Sequence, residues 1–163
     1  MLRGRLRRPL WRLAMRTASG VHTAVYRASG GRVAGEAGSL PVLLLTTTGR
    51  RTGKQRTAPL LFVRDGDDLV VVASNGGMDW FPAWWLNLQQ HSFAVIEIGR
   101  ERRDVTATNA DPERRARLWP EFTGPYPGYL RYEARTTREI PLVILRPKGL
   151  EQVGSGSTPL DNS

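Results

Sequence analysis

A short turn between two apolar segments collects cationic side chains beside two glycines. The stretch Thr46–Arg56 reads TTTGRRTGKQR, and its cations are Arg50, Arg51, Lys54 and Arg56. Arginine forks and a lysine at this density can donate several charge-assisted hydrogen bonds to a phosphate or a carboxylate. The stretch is not a P-loop, because only three residues separate Gly49 from Gly53 and Gln55 follows the lysine. The turn therefore indicates either an anion-binding site or a solvated basic hairpin tip.

Three tyrosines recur at intervals of three residues in the segment GPYPGYLRY, namely Tyr126, Tyr129 and Tyr132. A tyrosine hydroxyl in apolar surroundings can orient a carbonyl or stabilise a developing oxyanion. Aromatic packing explains the same spacing, and Pro127 and Gly128 argue against a regular helix at this point. Both interpretations of the tyrosines stay open on the sequence alone.

Other side-chain chemistry is sparse. The chain has no cysteine and two histidines, so we predict no metal site and no cysteine nucleophile. It contains neither a G-x-S-x-G elbow nor an H-E-x-x-H pair. Trp84–Trp85 with Asn87, and the turn Ser74–Gly77, are weaker signals, since tryptophan is usually a core residue. An enzyme with this sequence would therefore take its hard chemistry from a bound cofactor.

Strand-like segments joined by hairpin turns must position these residues. The length of 163 residues suits one domain, and 40% hydrophobic with 24% charged residues suits a globular core. Runs rich in β-branched residues occur at Pro41–Thr48, Arg56–Arg64, Asp68–Ser74, Ser92–Ile98, Arg102–Asn109 and Ile140–Leu145. Short helices are predicted at Pro82–Gln90 and after the capping residue Asp111. The pattern predicts a mainly β fold with short helices (α+β), its antiparallel sheet closed or nearly closed into a small barrel.

Positive charge is concentrated at the amino end of the chain. Residues 1–35 contain eight arginines and no acid, which leaves the remainder nearly neutral although the net charge is +9. We therefore expect no nucleic-acid partner. We divide the chain into a basic amphipathic helix at 1–28, a linker at 29–39, a barrel domain at 40–148 and a disordered tail at 149–163. Its apolar stripe recurs near the helical period at Leu10, Ala14, Ala18, Val21 and Val25. The helix could pack on its own domain or on a partner, or lie on an anionic membrane surface.

Six blocks of the chain resemble the deazaflavin-dependent nitroreductase family, whose members use coenzyme F-420. In chain order they are LLTTTGRRTGKQRTAPLLFVRDG, VVVASNGG, PAWWLNL, ATNADPERRARLWPEF, YPGYLRY and TREIPLVILRP. The resemblance implies a split β-barrel of the FMN-binding-like type. It also implies hydride transfer from the reduced deazaflavin to a quinone-like, nitro or enone acceptor. Because the family includes membrane-associated quinone reductases, we expect menaquinone as the acceptor and a cytoplasmic enzyme held peripherally on the inner membrane face through residues 1–28.

The same resemblance implies the site residues. The cationic turn would grip the coenzyme's phosphate and polyglutamate tail. The cofactor-binding residues carried over by motif are Arg50, Arg51, Thr52, Lys54, Arg56, Thr57, Ala58, Pro59, Leu60, Leu61, Val72, Ala73, Ser74, Asn75, Ala83, Trp84, Trp85, Leu86, Asn87 and Tyr129. Among them, Arg56 to Leu61 would line a groove that holds the coenzyme. The catalytic candidates are Tyr129, Tyr126, Tyr132 and Ser74, with Tyr126 and Tyr132 beside the acceptor pocket and Ser74 where the acceptor and the ring come together. Leu61 and Asn75 stand where the best-known nitroreductase has an aromatic residue and a lysine, which predicts a changed acceptor pocket with cofactor binding retained.

Two further functions fit the same residues. One is a non-catalytic split barrel that carries a cofactor or acts as a membrane adaptor. The other is an enzyme with FMN in place of the deazaflavin, because split barrels bind both. The GRRTGK turn favours the long anionic tail of coenzyme F-420 over FMN.

Overall fold

The structure is a computed structural model that describes residues 20–32, 36–37 and 39–149. Residues 20–29 are helical and are called α1. The other helices are α2 (Ala83–Gln90), α3 (Pro112–Thr123) and α4 (Gly128–Arg135). The strands are β1 (Glu36–Ala37), β2 (Leu40–Thr48), β3 (Gln55–Asp65), β4 (Asp68–Val72), β5 (Phe93–Ile98), β6 (Glu101–Asn109) and β7 (Leu142–Pro147).

Six of the described strands close into an antiparallel barrel. Their order is β2–β3–β4–β7–β6–β5, and β5 pairs again with β2, for example Leu45 with Ile96. The short strand β1 pairs with the start of β2. Each of the six strands thus has a partner on both sides, as a closed sheet requires. The barrel predicted from the hairpin pattern is confirmed.

The strands alternate between an inner and an outer apolar face. Inside the barrel lie buried side chains such as Leu43, Phe62 and Val71, and α2 adds Trp84 and Leu88 to this cluster. On the outside, α3 and α4 cover β4 and β7. The outer cluster comprises Leu40, Val70, Val72, Leu118, Phe122, Tyr129, Ile140, Leu142 and Ile144. Both faces of the sheet are therefore buried over this half of the barrel, which explains the nearly continuous apolar runs in β4 and β7.

Helix α1 packs on the outer face of β2 through one tyrosine. Tyr26 is 1% exposed, and its ring joins a cluster with Val42 and Leu44. Its hydroxyl donates to the carbonyl of Val42 at 3.0 Å and accepts from the backbone N–H of Gly99 at 2.8 Å. One hydroxyl thus ties the helix both to β2 and to the turn between β5 and β6.

The predicted apolar stripe of the first helix does not face the barrel where it is described. Val21 and Val25 are 66% and 40% exposed, whereas Thr23 and Tyr26 are buried. The earlier members of that stripe, and all of residues 1–19, lie outside the described residues. In the part of the chain that is described, no helix is long and apolar enough to span a bilayer.

Two other local expectations differ from the structure. The segment 29–39, predicted as a linker, contains β1, and α1 runs to residue 29. Pro127 precedes α4 instead of interrupting it, which is a position that proline tolerates. The division into segments at 1–28, 29–39, 40–148 and 149–163 stays a prediction, since residues 150–163 are outside the described part.

Candidate active site

The cationic turn connects β2 to β3 and is held by its own backbone. The N–H of Gly49 donates to the carbonyl of Lys54 at 2.8 Å, and the N–H of Gly53 donates to the carbonyl of Gly49 at 2.7 Å. Gly53 has φ +67°, a conformation that glycine adopts without steric cost. The turn therefore has a defined shape from which its side chains project.

Asn87 of α2 anchors this turn to the barrel. Its side chain is buried, and its Oδ1 accepts from the backbone N–H of Arg50 at 3.2 Å and from the Nη1 of Arg50 at 3.3 Å. Its Nδ2 donates to Oγ1 of Thr47 at 3.0 Å. Because both ends of the amide are engaged, Asn87 orients Arg50, and its expected direct contact with the coenzyme stays a prediction.

The four cations of the turn suit an anionic ligand. Arg51, Lys54 and Arg56 are exposed and Arg50 is half-buried. None of the ion pairs among the described residues uses any of the four. At the β3–β4 turn, by contrast, Arg114, Arg117 and Arg146 each form an ion pair with Asp65 or Asp68. Unpaired guanidinium groups on a fixed turn are the donors that a phosphate and carboxylate tail requires.

The groove stretch predicted along β3 divides between the two faces of the barrel. Ala58 and Leu60 pack against the inner cluster. Strand alternation therefore puts Thr57, Pro59 and Leu61 together on the outer face. Oγ1 of Thr57 lies 2.8 Å from Oγ1 of Thr46. Only the outer three can offer side chains to a ligand lying outside the barrel.

Leu61 lies on the outer face of β3, between two groups of packed side chains. It packs against the outer cluster together with Tyr126 and Tyr132, and also against the cluster of Tyr26 with Val42 and Leu44. We call this region the Leu61 cleft, with Leu61 as its floor, Tyr126 and Tyr132 as one wall, and α1 as the other. The cleft brings together the predicted acceptor-side tyrosines and the predicted groove residue Leu61.

The three tyrosines have different surroundings. Tyr126 and Tyr132 are half-buried, and their hydroxyl oxygens lie 3.2 Å apart. Tyr129 is buried and meets Phe122 and Tyr126 edge to face. Burial raises the pKa of Tyr129, and the hydrogen bond with Tyr126 raises the pKa of Tyr132. Both hydroxyls therefore stay protonated at neutral pH, and the pair formed by Tyr126 and Tyr132 is the more accessible one.

The turn Ser74–Gly77 lies directly against α4. A Cβ on Gly77 would come within 2.6 Å of the backbone oxygen of Tyr132, so only glycine permits the contact. Asn75 has φ +48°, and its Nδ2 donates to the carbonyl of Trp80 at 2.9 Å. This turn therefore lies against the helix that carries Tyr132, and the catalytic role expected for Ser74 stays a prediction.

The remaining predicted residues are partly inside the barrel. Val72 and Ala73 are buried on opposite faces, and Trp84 is buried in the inner cluster. Trp85 and Leu86 are half-buried and Ala83 is exposed. Trp85 stacks on Phe81 with ring centroids 4.1 Å apart. The side chains of Ala73 and Trp84 therefore cannot contact a ligand that lies outside the barrel.

Arg138 holds the Ser74–Gly77 turn in place, and no sequence motif marks it. Its Nη2 donates to the carbonyls of Ala73 and Ser74 at 3.2 and 2.8 Å, and its Nε donates to that of Met78 at 2.9 Å. Its guanidinium also lies 4.6 Å from the ring centroid of Phe81. Burial lowers its pKa. A lone arginine in TTREIP gives no sign of this role, because its acceptors lie about 60 residues earlier in the chain.

Comparison with known proteins agrees with this geometry. The family model described as F-420H(2)-dependent quinone reductase matches residues 18–147. An F-420H(2)-dependent quinone reductase of Mycobacterium tuberculosis is 40% identical over 129 residues, which cover 77% of this chain and 87% of the relative. A second, putative one from the same species is 40% identical over 109 residues, covering 67% and 92%.

A solved structure described as an F-420-H2-dependent reductase aligns with a TM-score of 0.60 and 34% identity, covering 65% of this chain and 94% of that one. The expected coenzyme, reductase class and split-barrel fold are thereby confirmed, and the family carries the quinone reductase name instead of the nitroreductase name. The chain belongs to the F-420H(2)-dependent quinone reductase family.

Proposed function

We propose that the protein reduces a quinone with reduced coenzyme F-420, binding the coenzyme tail on the cationic turn and the quinone in the Leu61 cleft. When bound, the coenzyme supplies the hydride. The observation that carries the proposal is the set of unpaired cations on a turn that Asn87 fixes to the barrel. The quinone gains one hydride and one proton and becomes a hydroquinone.

The residues of the chain have separate tasks in this reaction. Arg50, Arg51, Lys54 and Arg56, with the backbone at Thr52, hold phosphate and carboxylate groups. The outer face of β3 supports the ring, and Ser74 lies where ring and acceptor meet. Helices α1 and α4 limit access of water to the Leu61 cleft, which favours hydride transfer over side reactions.

The tyrosine wall serves the acceptor. The paired hydroxyls of Tyr126 and Tyr132 orient a quinone oxygen by donating a hydrogen bond, and they supply the proton as negative charge develops there. Tyr129 supports that wall from behind through its ring contacts. Menaquinone fits this arrangement as an apolar quinone, and nitro or enone compounds are further acceptors to be tried.

A binding titration tests the coenzyme assignment. We expect saturable binding of coenzyme F-420, and at least a tenfold rise in Kd for the double variant R50Q/R56Q, because each lost charged hydrogen bond is worth about 1.5–3 kcal/mol. R103Q is the matched control, since Arg103 is exposed and pairs only with the exposed Glu101 in the ion-pair set. Tighter binding of FMN than of coenzyme F-420, or equal loss in R103Q, would contradict the assignment.

We also propose that α1 and the basic residues before it hold the enzyme on an anionic membrane. Val21 and Val25 on α1 and Leu130 on α4 are exposed apolar side chains on the two helices that flank the Leu61 cleft. Residues 1–35 supply eight arginines and no acid. Apolar insertion combined with arginines at anionic headgroups is the usual basis of peripheral binding. A lipid-soluble quinone would then enter the cleft from the bilayer.

Vesicle sedimentation tests this attachment. We expect binding to vesicles rich in phosphatidylglycerol, little binding to pure phosphatidylcholine, and a severalfold loss in V21S/V25S. F93S is the control, because Phe93 is 60% exposed on β5, outside the cleft. Deleting residues 1–28 is unsuitable, since it would remove the buried Tyr26. Unchanged vesicle binding in V21S/V25S would contradict the role of α1.

A further inference from the structure

Two buried polar atoms on α1 have no hydrogen-bond partner. They are Nδ1 of His22 and Oγ1 of Thr23, and among the described residues they are the only such side-chain atoms. Thr23 as a whole is 8% exposed. A buried polar group without a partner normally costs about 1–3 kcal/mol, so its retention needs a reason.

These atoms lie on the side of α1 that carries Tyr26. Thr23 and His22 precede Tyr26 by three and four residues, so they share its helix face, one turn earlier. The cluster around Tyr26 includes Leu61 as a neighbour, and Leu61 also packs with Tyr126 and Tyr132. The unpartnered atoms therefore lie on the side of α1 that packs on the barrel near Leu61, and Leu61 lies between α1 and the tyrosine wall.

Their position also separates them from the coenzyme tail. Tyr26 is bonded to Val42, near the start of β2, while the cationic turn begins at Gly49, just after the end of that strand. Seven residues of a strand at roughly 3.3 Å each place the two regions about 20 Å apart. A coenzyme tail held on the cationic turn therefore does not reach His22 and Thr23, whereas a ligand in the Leu61 cleft lies beside α1.

We propose that Thr23 and His22 bind an oxygen of the quinone, an inference that rests on the proposed function. A threonine hydroxyl donates to a quinone carbonyl and accepts from a hydroquinone hydroxyl, so it serves the acceptor before and after reduction. A neutral imidazole nitrogen does either according to its tautomer. The quinone is then held between α1 and the tyrosine wall, and the unpaired atoms gain their partner only when it is bound.

The isosteric variant T23V separates binding from structure. Removing an unsatisfied hydroxyl while keeping its shape should leave Tm unchanged or raise it. We expect KM for menadione to rise about 3- to 10-fold, which corresponds to the loss of one hydrogen bond. The kcat and the Kd for the coenzyme should change little. H22F should give the same pattern. T108V is the control, because Thr108 is exposed on β6.

A second measurement does not need turnover. Menadione added to coenzyme-free protein should raise the Tm of the wild type, and raise it less for T23V. A lower Tm in T23V with unchanged KM, or equal quinone-induced shifts in both proteins, would overturn the inference. Failure of the wild type to reduce quinones would instead overturn the proposed function, and the thermal shift would still decide whether Thr23 contacts a quinone.

Discussion

A single guanidinium organises the turn beside the tyrosine wall. The carbonyls of Ala73, Ser74 and Met78 all accept hydrogen bonds from Arg138. Among the described residues, Arg138 forms no ion pair with a carboxylate. Nη1 of Arg138 also donates to the carbonyl of Glu139 at 3.3 Å. Four carbonyl acceptors around one planar cation need a fork of donors, which lysine does not have. Arg138 therefore fixes where Ser74 lies relative to α4.

Replacing Arg138 should loosen this turn. We expect R138L to lose about 2–3 kcal/mol of unfolding free energy, because it removes charged hydrogen bonds to partly buried carbonyls. R138K should fall between R138L and the wild type, since an ammonium keeps the charge without the fork. Urea unfolding gives the stability, and coenzyme titration gives the Kd. Equal stability of R138K and the wild type would show that charge alone suffices.

The tyrosine pair predicts a particular pH profile. The hydrogen bond with Tyr126 raises the pKa of Tyr132, which keeps the Tyr132 hydroxyl protonated as the pH rises. Quinone reduction should thus show no loss from ionisation of Tyr132 up to pH about 9. We expect Y126F and Y132F each to lower kcat roughly 10- to 100-fold, with Tm shifted by only a few degrees. A lower Tm with unchanged kcat in Y126F and Y132F would show that the two tyrosines contribute to packing and not to the reaction.

At the scale of elements, contacts between distant segments decide the site. Gly77 is the point where the Ser74–Gly77 turn meets α4. We expect G77A to lose about 2–4 kcal/mol of unfolding free energy, because the alanine would have a positive φ and its Cβ would approach Tyr132 closely. G66A is a matched control with φ +63° and open space, and should lose only about 1 kcal/mol. Equal losses of unfolding free energy in G77A and G66A, measured by urea unfolding, would mean that the contact between Gly77 and α4 does not contribute to stability.

The elements that the sequence predicted well are those governed by local signals. Runs of β-branched residues separated by polar turns predicted the hairpins, and Asp111 with Pro112 predicted the start of α3, where Asp111 accepts from the N–H of Arg114. The cationic turn is a candidate site on residue types alone, because arginine and lysine at this density indicate anion binding, and its role in holding the coenzyme stays a prediction.

The elements that were misjudged depend on distant partners. The period of Val21 and Val25 indicated an apolar face for the barrel, for a partner or for a membrane, but the residue that packs on the barrel is Tyr26, which bonds to Val42 and Gly99, 16 and 73 residues away. Arg138 went unnoticed for the same reason, as its acceptors belong to another part of the chain. Alternation along β3 also separated Ala58 and Leu60 from their predicted groove neighbours, which a list of consecutive motif residues hides.

At the scale of the whole molecule, an ionic cluster joins α3 and β7 to the β3–β4 turn. Arg114 bridges Asp65 and Asp68, Arg117 pairs with Asp65, and Arg146 pairs with Asp68. Hydrogen bonds, chiefly from Arg117 and Arg146 respectively, hold the pKa of Asp65 and Asp68 below the usual value. A lowered folded-state pKa contributes stability above the unfolded pKa of about 3.9, and that stability is lost as the pH falls through the folded value.

Acid unfolding should report this cluster. We expect the wild-type Tm to be flat between about pH 7 and pH 5 and to drop below about pH 4. D68N should be less stable at pH 7 by about 2 kcal/mol, with a shallower drop in acid. D67N, at the exposed neighbouring position, is the control and should follow the wild type. Parallel acid profiles for D68N and the wild type would contradict the assignment.

The anchoring of the cationic turn by Asn87 has a consequence for divergence among related enzymes. In the site that we propose, the coenzyme grip depends on β2, β3 and α2, while the acceptor wall depends on α1, α4 and the turn that Arg138 holds. Mutations can therefore accumulate in the acceptor wall without weakening the grip. Gene duplicates of such a protein would be expected to keep one electron donor while exploring new acceptors, with His22, Thr23 and Leu61 among the first positions to drift.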